Sequence, residues 1–346
     1  MSPLRRVATA ACLAGTLVLA ISSVAGTVAA TAKTKTVHVA VVGPFANTFF
    51  GAEVAGLRKV ASQAKGEKVV ITAFNSNFDT TLEYSQVAGL ATSGQYQGVA
   101  LAALDGTGLV PAVKEDIAAG VKVVALNNEL GPNQTTAQNP QVLGQTAYVG
   151  DPPSFRAPLM GELIVDACKG KSDCQVGYIA GVLSIPIEQA AISGIKGYIK
   201  SHSNIHLVSI LNGGQYLAGP SETVTETMLT ADPNISVIAA SGDQEIAGAA
   251  IAVDARGLTH KVKLIGYGAS STAMKALDAC TAPWYGTVAM VPNNEGQLAM
   301  KYLIEALSGK TIHVGISATK YLEKTKHFNP LITCGNAKSF KSQWQG

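Results

Sequence analysis

Residues 36–64 read TVHVAVVGPFANTFFGAEVAGLRKVASQA, and this stretch decides the fold. Val37–Val42 is almost continuously apolar, as a strand covered on both faces must be. A short turn, Gly43-Pro44-Phe45-Ala46-Asn47-Thr48, follows. Phe49, Phe50, Val54, Leu57 and Val60 then recur at helical spacing, with Asn47 or Thr48 placed to cap the helix. In an open α/β sheet, ligands bind beyond the carboxyl ends of the strands, so this first turn is a candidate piece of binding site. Asn47 can hold a hydroxyl, and the rings of Phe49 and Phe50 can stack on a C–H face. The competing reading of both rings is core packing.

Outward from that stretch the pattern repeats. Strands are expected at 68–74, 98–103 and 121–127, with helices at 80–93 and 109–119 between them. A polar interval, 131–143, precedes a short strand at 146–150. A second series follows, with strands at 176–180, 206–211, 236–240, 263–267 and 285–291. Its helices are expected at 155–167, 187–201, 221–230, 244–255, 271–279 and 295–307. Strand–helix–strand repetition with apolar strands specifies parallel sheets with right-handed crossovers. The expected class is α/β, with two doubly wound parallel-sheet lobes and a ligand cleft between them.

The 346 residues are 47% hydrophobic, 14% charged and 6% aromatic, which suits a compact two-lobed protein and excludes a disordered chain. The formal charge is +3, and it falls to +1 when residues 1–30, with Arg5 and Arg6 and no acids, are removed. That leaves no basic field for nucleic acid. Residues 1–30 read as an export signal: Arg5 and Arg6, an apolar stretch over 7–24, then small residues at Val28-Ala29-Ala30 or Ala30-Thr31-Ala32. The competing reading is an uncleaved anchor, which the many Ala, Gly, Thr and Ser residues disfavour. Cys12 lies inside the apolar stretch, poorly placed for lipid attachment. Four cysteines remain, Cys168, Cys174, Cys280 and Cys334, an even number that argues for two disulfides in an exported chain. Local pairing of Cys168 with Cys174 is the simplest choice and leaves Cys280 for Cys334; the other two connectivities stay open. No histidine lies near them at ligand spacing, so no metal site is expected, and with no Gly-x-Gly-x-x-Gly, Walker loop or His-Glu-x-x-His in the sequence no cofactor is expected. Ser193-Gly194-Ile195-Lys196 fits S-x-x-K but falls inside an expected helix and lacks companion motifs, so no enzyme is read here.

Several stretches together resemble the periplasmic sugar-binding proteins of ABC importers, in the ribose/galactose branch that shares its two-lobed fold with LacI-type repressors. They are AVVGPFANTFFGAEVAGL, LVPAVKEDIAAGVKVVALNN (109–128), AYVGD (147–151), VIAASGDQEIAGAAIAV (237–253), KLIGYGASSTAMKAL (263–277) and VAMVPNNEGQLAM (288–300). The resemblance implies three passages between lobes, near Tyr148–Pro152, Met290–Asn293 and Ile316–Leu322. Lobe one is then 36–149 plus 291–317, and lobe two 150–290 plus 318–346. It implies ligand contacts from Asn47, Phe49 and Phe50, from Asn127 and Asn128 where the family has an Asp-Arg pair, and from Met290 where it has Gln. The family's lobe-two arginine falls on Ile192. The Asn before the family's Asp is Gly242, although Asp243 remains, and Gly268 stands in place of the Asp after Gly-Phe. With both arginines lost, a small neutral ligand is expected: a sugar, a polyol or a related compound, or a non-sugar solute in a re-purposed cleft. Asp105, Glu188, Gln189 and Tyr267 are candidates for compensating contacts. The competing role of Asp105 is to cap the helix near Gly108, and that of Asp243 is the N-cap before Gln244. The resemblance further implies a monomer outside the cytoplasm, in the periplasm or at the cell exterior, that closes on its ligand and docks to a membrane ABC permease. The alternative is a ligand sensor for a chemoreceptor or histidine kinase. A repressor is disfavoured by the export signal and the missing basic patch.

Overall fold

The computed structural model describes residues 35–326 and 328–346; the expected export signal and Cys12 lie outside the described residues. The first series runs β1 (Lys35–Gly43), α1 (Thr48–Ala61), β2 (Glu67–Asn75), α2 (Thr80–Ser93), β3 (Gly98–Leu101), α3 (Val110–Ala118), β4 (Lys122–Leu126) and β5 (Ala147–Val149). The second runs α4 (Pro153–Ala167), β6 (Cys174–Ala180), α5 (Pro186–Ile199), β7 (Ile205–Asn212), α6 (Ala218–Ala231), β8 (Ile235–Ala240), α7 (Asp243–Ala255), β9 (Lys263–Gly268), α8 (Ser271–Asp278) and β10 (Trp284–Ala289). Then come α9 (Pro292–Leu307), β11 (Val314–Ile316), α10 (Ala318–Lys326) and β12 (Leu331–Thr333).

These strands form two six-stranded sheets, ordered β2-β1-β3-β4-β5-β11 and β7-β6-β8-β9-β10-β12. The two orders are equivalent. In both, the chain steps to one side of the first strand and then back to the other, which is the doubly wound pattern. All pairings are parallel except that of β12 with β10. The chain passes from one sheet to the other between β5 and β6, between β10 and β11, and again between β11 and β12. Strands β3 and β8 are buried along their whole length, as helices on both faces require.

The sequence expectation and the structure differ at several element boundaries. Helices expected to begin at Phe155, Ile187 and Glu295 begin at Pro153, Pro186 and Pro292 instead. Proline there gives up an N–H that would be unpaired anyway, and its φ is already helical, so it starts these helices rather than preceding them. The elements β11, α10 and β12 were not anticipated. The three-residue strands are too short to show a period. The sulfurs pair Cys168 with Cys174 and Cys280 with Cys334, across Cα separations of 5.7 and 5.1 Å.

Helices α1 and α9 pack backbone to backbone. A Cβ added at Gly56 would lie 2.1 Å from the Asn293 carbonyl oxygen, and one at Gly296 would lie 2.0 Å from that of Glu53. Gly89, inside α2, has open space around it. Chemical denaturation is expected to show Gly56→Ala destabilised by about 1–3 kcal/mol, because the backbone contact must open. Gly89→Ala is expected to be stabilised by roughly 0.5–1 kcal/mol, because there only the helix propensity changes.

Candidate ligand-binding site

The carboxyl ends of both sheets converge on one cavity of about 850 Å³, its open mouth included. Lobe-one turns supply Asn47, Phe49 and Phe50 after β1, Phe78 after β2, Leu104 after β3, and Asn127 and Asn128 after β4. From the second sheet come Glu188 after β6, Tyr216 after β7, Ser241 and Gln244 after β8, Tyr267 in β9 and Met290 after β10.

Each side chain is held by local chemistry. Asn47 caps α1: the Phe49 N–H donates to its Oδ1 at 2.8 Å. Phe49 is buried, and its ring meets the edges of Phe50 and Trp344, each with centroids 5.4 Å apart. The Trp344 Nε1–H donates to the Gly268 carbonyl at 2.7 Å, which pins the C-terminal segment into the cavity wall. Asn127 takes the left-handed conformation, φ 62°, which asparagine tolerates better than most residues. The Tyr148 hydroxyl donates to its carbonyl at 3.0 Å. The Asn128 amide donates to the Ala103 carbonyl at 2.8 Å. Glu188 is buried, and both its oxygens accept: one from the Tyr216 hydroxyl, the other from Ser241 Oγ at 2.6 Å.

Besides the Phe49–Trp344 edge contact, two more contacts cross the cleft. Gln244 Nε2 donates to Asn47 Oδ1 at 3.4 Å. At the mouth, Phe78 stacks on Tyr216 with centroids 5.5 Å apart and planes 30° apart. Both rings sit on matching turns after the second strand of each sheet, and both turns hold two consecutive non-glycine residues at positive φ: Asn77-Phe78 (50° and 58°) and Gln215-Tyr216 (64° and 57°). Such backbone is costly and persists only where surrounding contacts hold it.

The structure brings Asn47, Phe49, Phe50, Asn127, Asn128, Glu188, Tyr267 and Met290 together at the cavity, and leaves three candidates outside it. Asp105 closes its own turn, accepting from the N–H groups of Thr107 at 3.1 Å and Gly108 at 2.9 Å. Gln189 is exposed and donates back to the Leu183 carbonyl. Asp243 is buried and accepts from the Ser270 N–H at 2.6 Å and Thr287 Oγ1 at 2.8 Å, tying the start of α7 to β10. Gly242, not Asp243, holds the N-cap position. Ile192, the position matched to the family's arginine, packs in the core of the second sheet. The cavity nevertheless holds an arginine, Arg156, from the first turn of α4, with its guanidinium 5.6 Å from the Tyr267 ring centroid. Arg156 is a cation in the cavity that the sequence reading did not anticipate. Sequence reasoning also missed Phe78, Tyr216 and Trp344. Among the described residues, no group of three or more His, Cys, Asp or Glu could hold a metal ion.

Beneath the cavity, Glu53 of α1 and Glu295 of α9 are fully buried. Burial, then the neighbouring Glu295, pushes the Glu53 carboxyl well above the usual range; burial, then the Asp151 charge, raises Glu295 to about 8. Burial likewise raises Glu83 and Asp116 to about 7, Glu129 to about 8 and Asp243 to about 6.

A model for the "Periplasmic binding protein domain" matches residues 39–311. A D-ribose/D-allose-binding protein from Pseudomonas aeruginosa is 28% identical over 228 residues, 66% of this chain and 69% of that protein. An ABC transporter solute binding protein from Bacillus halodurans, solved with bound myo-inositol, superposes with a TM-score of 0.75 at 17% identity, covering 90% of this chain and all of its own. One from Mycobacterium smegmatis, solved with bound glycerol, gives 0.73 at 20% identity, covering 90% and 99%. These two superpositions speak for the fold. Among the described residues, no helix is long and apolar enough to cross a membrane.

The raised carboxyls give a signed prediction. Each binds its proton more tightly folded than unfolded, where ordinary values are about 4. Their contribution is complete below that value and is lost as pH rises through about 6–8. Thermal melts are therefore expected to show the midpoint rising on acidification from pH 8 to 5. Glu129→Gln is expected to flatten that slope.

Proposed function

The chain belongs to the periplasmic binding protein domain family, whose members bind substrates for transporters and are not enzymes, and we propose on that premise that it captures a small oxygen-bearing solute outside the cytoplasm and delivers it to an ABC importer. The observation that carries this reading is the cavity lined from the carboxyl ends of both sheets. The relatives' ligands, ribose or allose, myo-inositol and glycerol, are small oxygen-rich molecules, and they motivate sugars and polyols as the first class to try. Residues 1–30 serve as the export signal. Lobe one is 36–149 plus 291–317, and lobe two 150–290 plus 318–346. A ligand that touches both lobes stabilises the closed arrangement by its contacts to each. The Phe78–Tyr216 stack and the Gln244–Asn47 bond then hold the cleft shut, and the closed form docks to the permease.

The test is a thermal-shift screen of the mature protein against sugars, polyols, cyclitols and small organic acids, since a ligand of the folded state must raise the melting temperature. A saturable hit accompanied by a smaller radius of gyration in X-ray scattering supports capture by closure. No hit in any class, or a hit without compaction, overturns it. Phe78→Ala removes half of the stack at the mouth. Stopped-flow measurement with the hit is expected to show faster release and an affinity weakened by about 0.5–1.5 kcal/mol.

A further inference from the structure

The polar groups of the cavity are unequally engaged. Both Glu188 oxygens already accept hydrogen bonds from the protein, and Asn47 Oδ1 accepts from the Phe49 N–H and from Gln244. Each of these oxygens has spent part of its accepting capacity within the protein. Arg156 is the reverse. Its Nε and Nη2 are buried with no hydrogen-bond partner, and no ion pair among the described residues includes it. The half-buried Arg156 lies against the Tyr267 ring and near the Asp151 charge, yet those two nitrogens keep their donors, and the group a guanidinium fits best is a carboxylate, through two parallel N–H···O bonds.

Next to Arg156 the wall turns apolar. Ala157 and Met160 of α4 and Ile187, Ala191 and Ile195 of α5 line the cavity together with Ile185, and Glu188 is the charged side chain among them. A hydrocarbon group placed there is removed from water, worth about 0.8 kcal/mol for each methylene buried.

We infer that the ligand is a small carboxylic acid with a compact hydrocarbon ring or branched body, its carboxylate held by Arg156 and its apolar body seated between α4 and α5. This rests on the solute-capture reading and narrows it to a ligand class. Glu188, the acidic group of the cavity wall, has both oxygens engaged by Tyr216 and Ser241, and burial pushes its carboxyl toward the protonated form, which lessens its repulsion of a carboxylate.

The test compares matched probes by isothermal titration calorimetry at pH 7: cyclohexanecarboxylate and benzoate, cyclohexylmethanol as the neutral counterpart, and myo-inositol and D-ribose as hydroxyl-only compounds. The acids are expected to bind saturably, and cyclohexylmethanol about tenfold or more weaker, the value of a hydrogen-bonded charge. Arg156→Gln is expected to lower the acids' affinity by about tenfold or more, and Arg156→Lys, which keeps the charge but not the fork, to fall between. Ala191→Leu, which enlarges a half-buried cavity-lining side chain while keeping Arg156, is expected to abolish acid binding. Far-UV melts establish that each variant is folded; should Arg156→Gln not fold, the Lys and Leu variants decide. Binding of inositol or ribose without the acids overturns the carboxylate inference and leaves solute capture standing. Acid binding indifferent to both Arg156 variants or to Ala191→Leu also overturns it. Silence from every probe, together with silence in the wider screen, removes both readings.

Discussion

The backbone contact between α1 and α9 sets the rest of the structure. Gly56 lies against the Asn293 carbonyl and Gly296 against that of Glu53, so neither helix can move toward or away from the other without breaking a close-packed seam. Helix α1 begins at Asn47 and the two phenylalanines of the cavity, and α9 is the first element after the chain returns from the second sheet. The seam therefore fixes one wall of the site with respect to a passage between sheets. It also buries Glu53 and Glu295, which is why their carboxyls favour the protonated form. A tight seam and ionisable groups beneath the ligand cavity are one arrangement seen twice.

The equivalence of the two sheets explains why the cavity has matched parts. Each sheet offers the turn after its second strand, and each turn projects an aromatic ring, Phe78 or Tyr216, through consecutive left-handed residues. The stack at the mouth is thus a contact between corresponding positions of two similar lobes. The remaining walls are not matched. The first sheet contributes Asn47, Asn127 and Asn128, whereas the second adds Arg156, Glu188 and the apolar residues between α4 and α5.

Most of the architecture was legible in the sequence because doubly wound sheets write it plainly. Fully buried parallel strands such as Gly98–Leu101 and Ile235–Ala240 are apolar runs, and the helices between them keep a polar face. The first-turn site was legible for the same reason: Asn47, Phe49 and Phe50 follow the strand end directly. Arg156 was not, because nothing local distinguishes a cavity-facing arginine from a solvated one in the first turn of a helix; its environment comes from Tyr267, more than a hundred residues away. Trp344 was hidden similarly, since its bond to Gly268 spans 76 residues. Asp105 and Gln189 misled because polar residues near strand ends also serve their own turns, and there the short-range bond won.

The seating of Trp344 has an optical consequence. Its indole is fixed by the Gly268 carbonyl and the Phe49 edge, and it lines the cavity. The second tryptophan of the chain, Trp284, is half-buried at the start of β10 and is not among the residues that line the cavity. A solute arriving in the cavity changes the polarity around one indole and leaves the other as a constant background. The protein thereby carries a built-in emission reporter of its own occupancy, with no label attached.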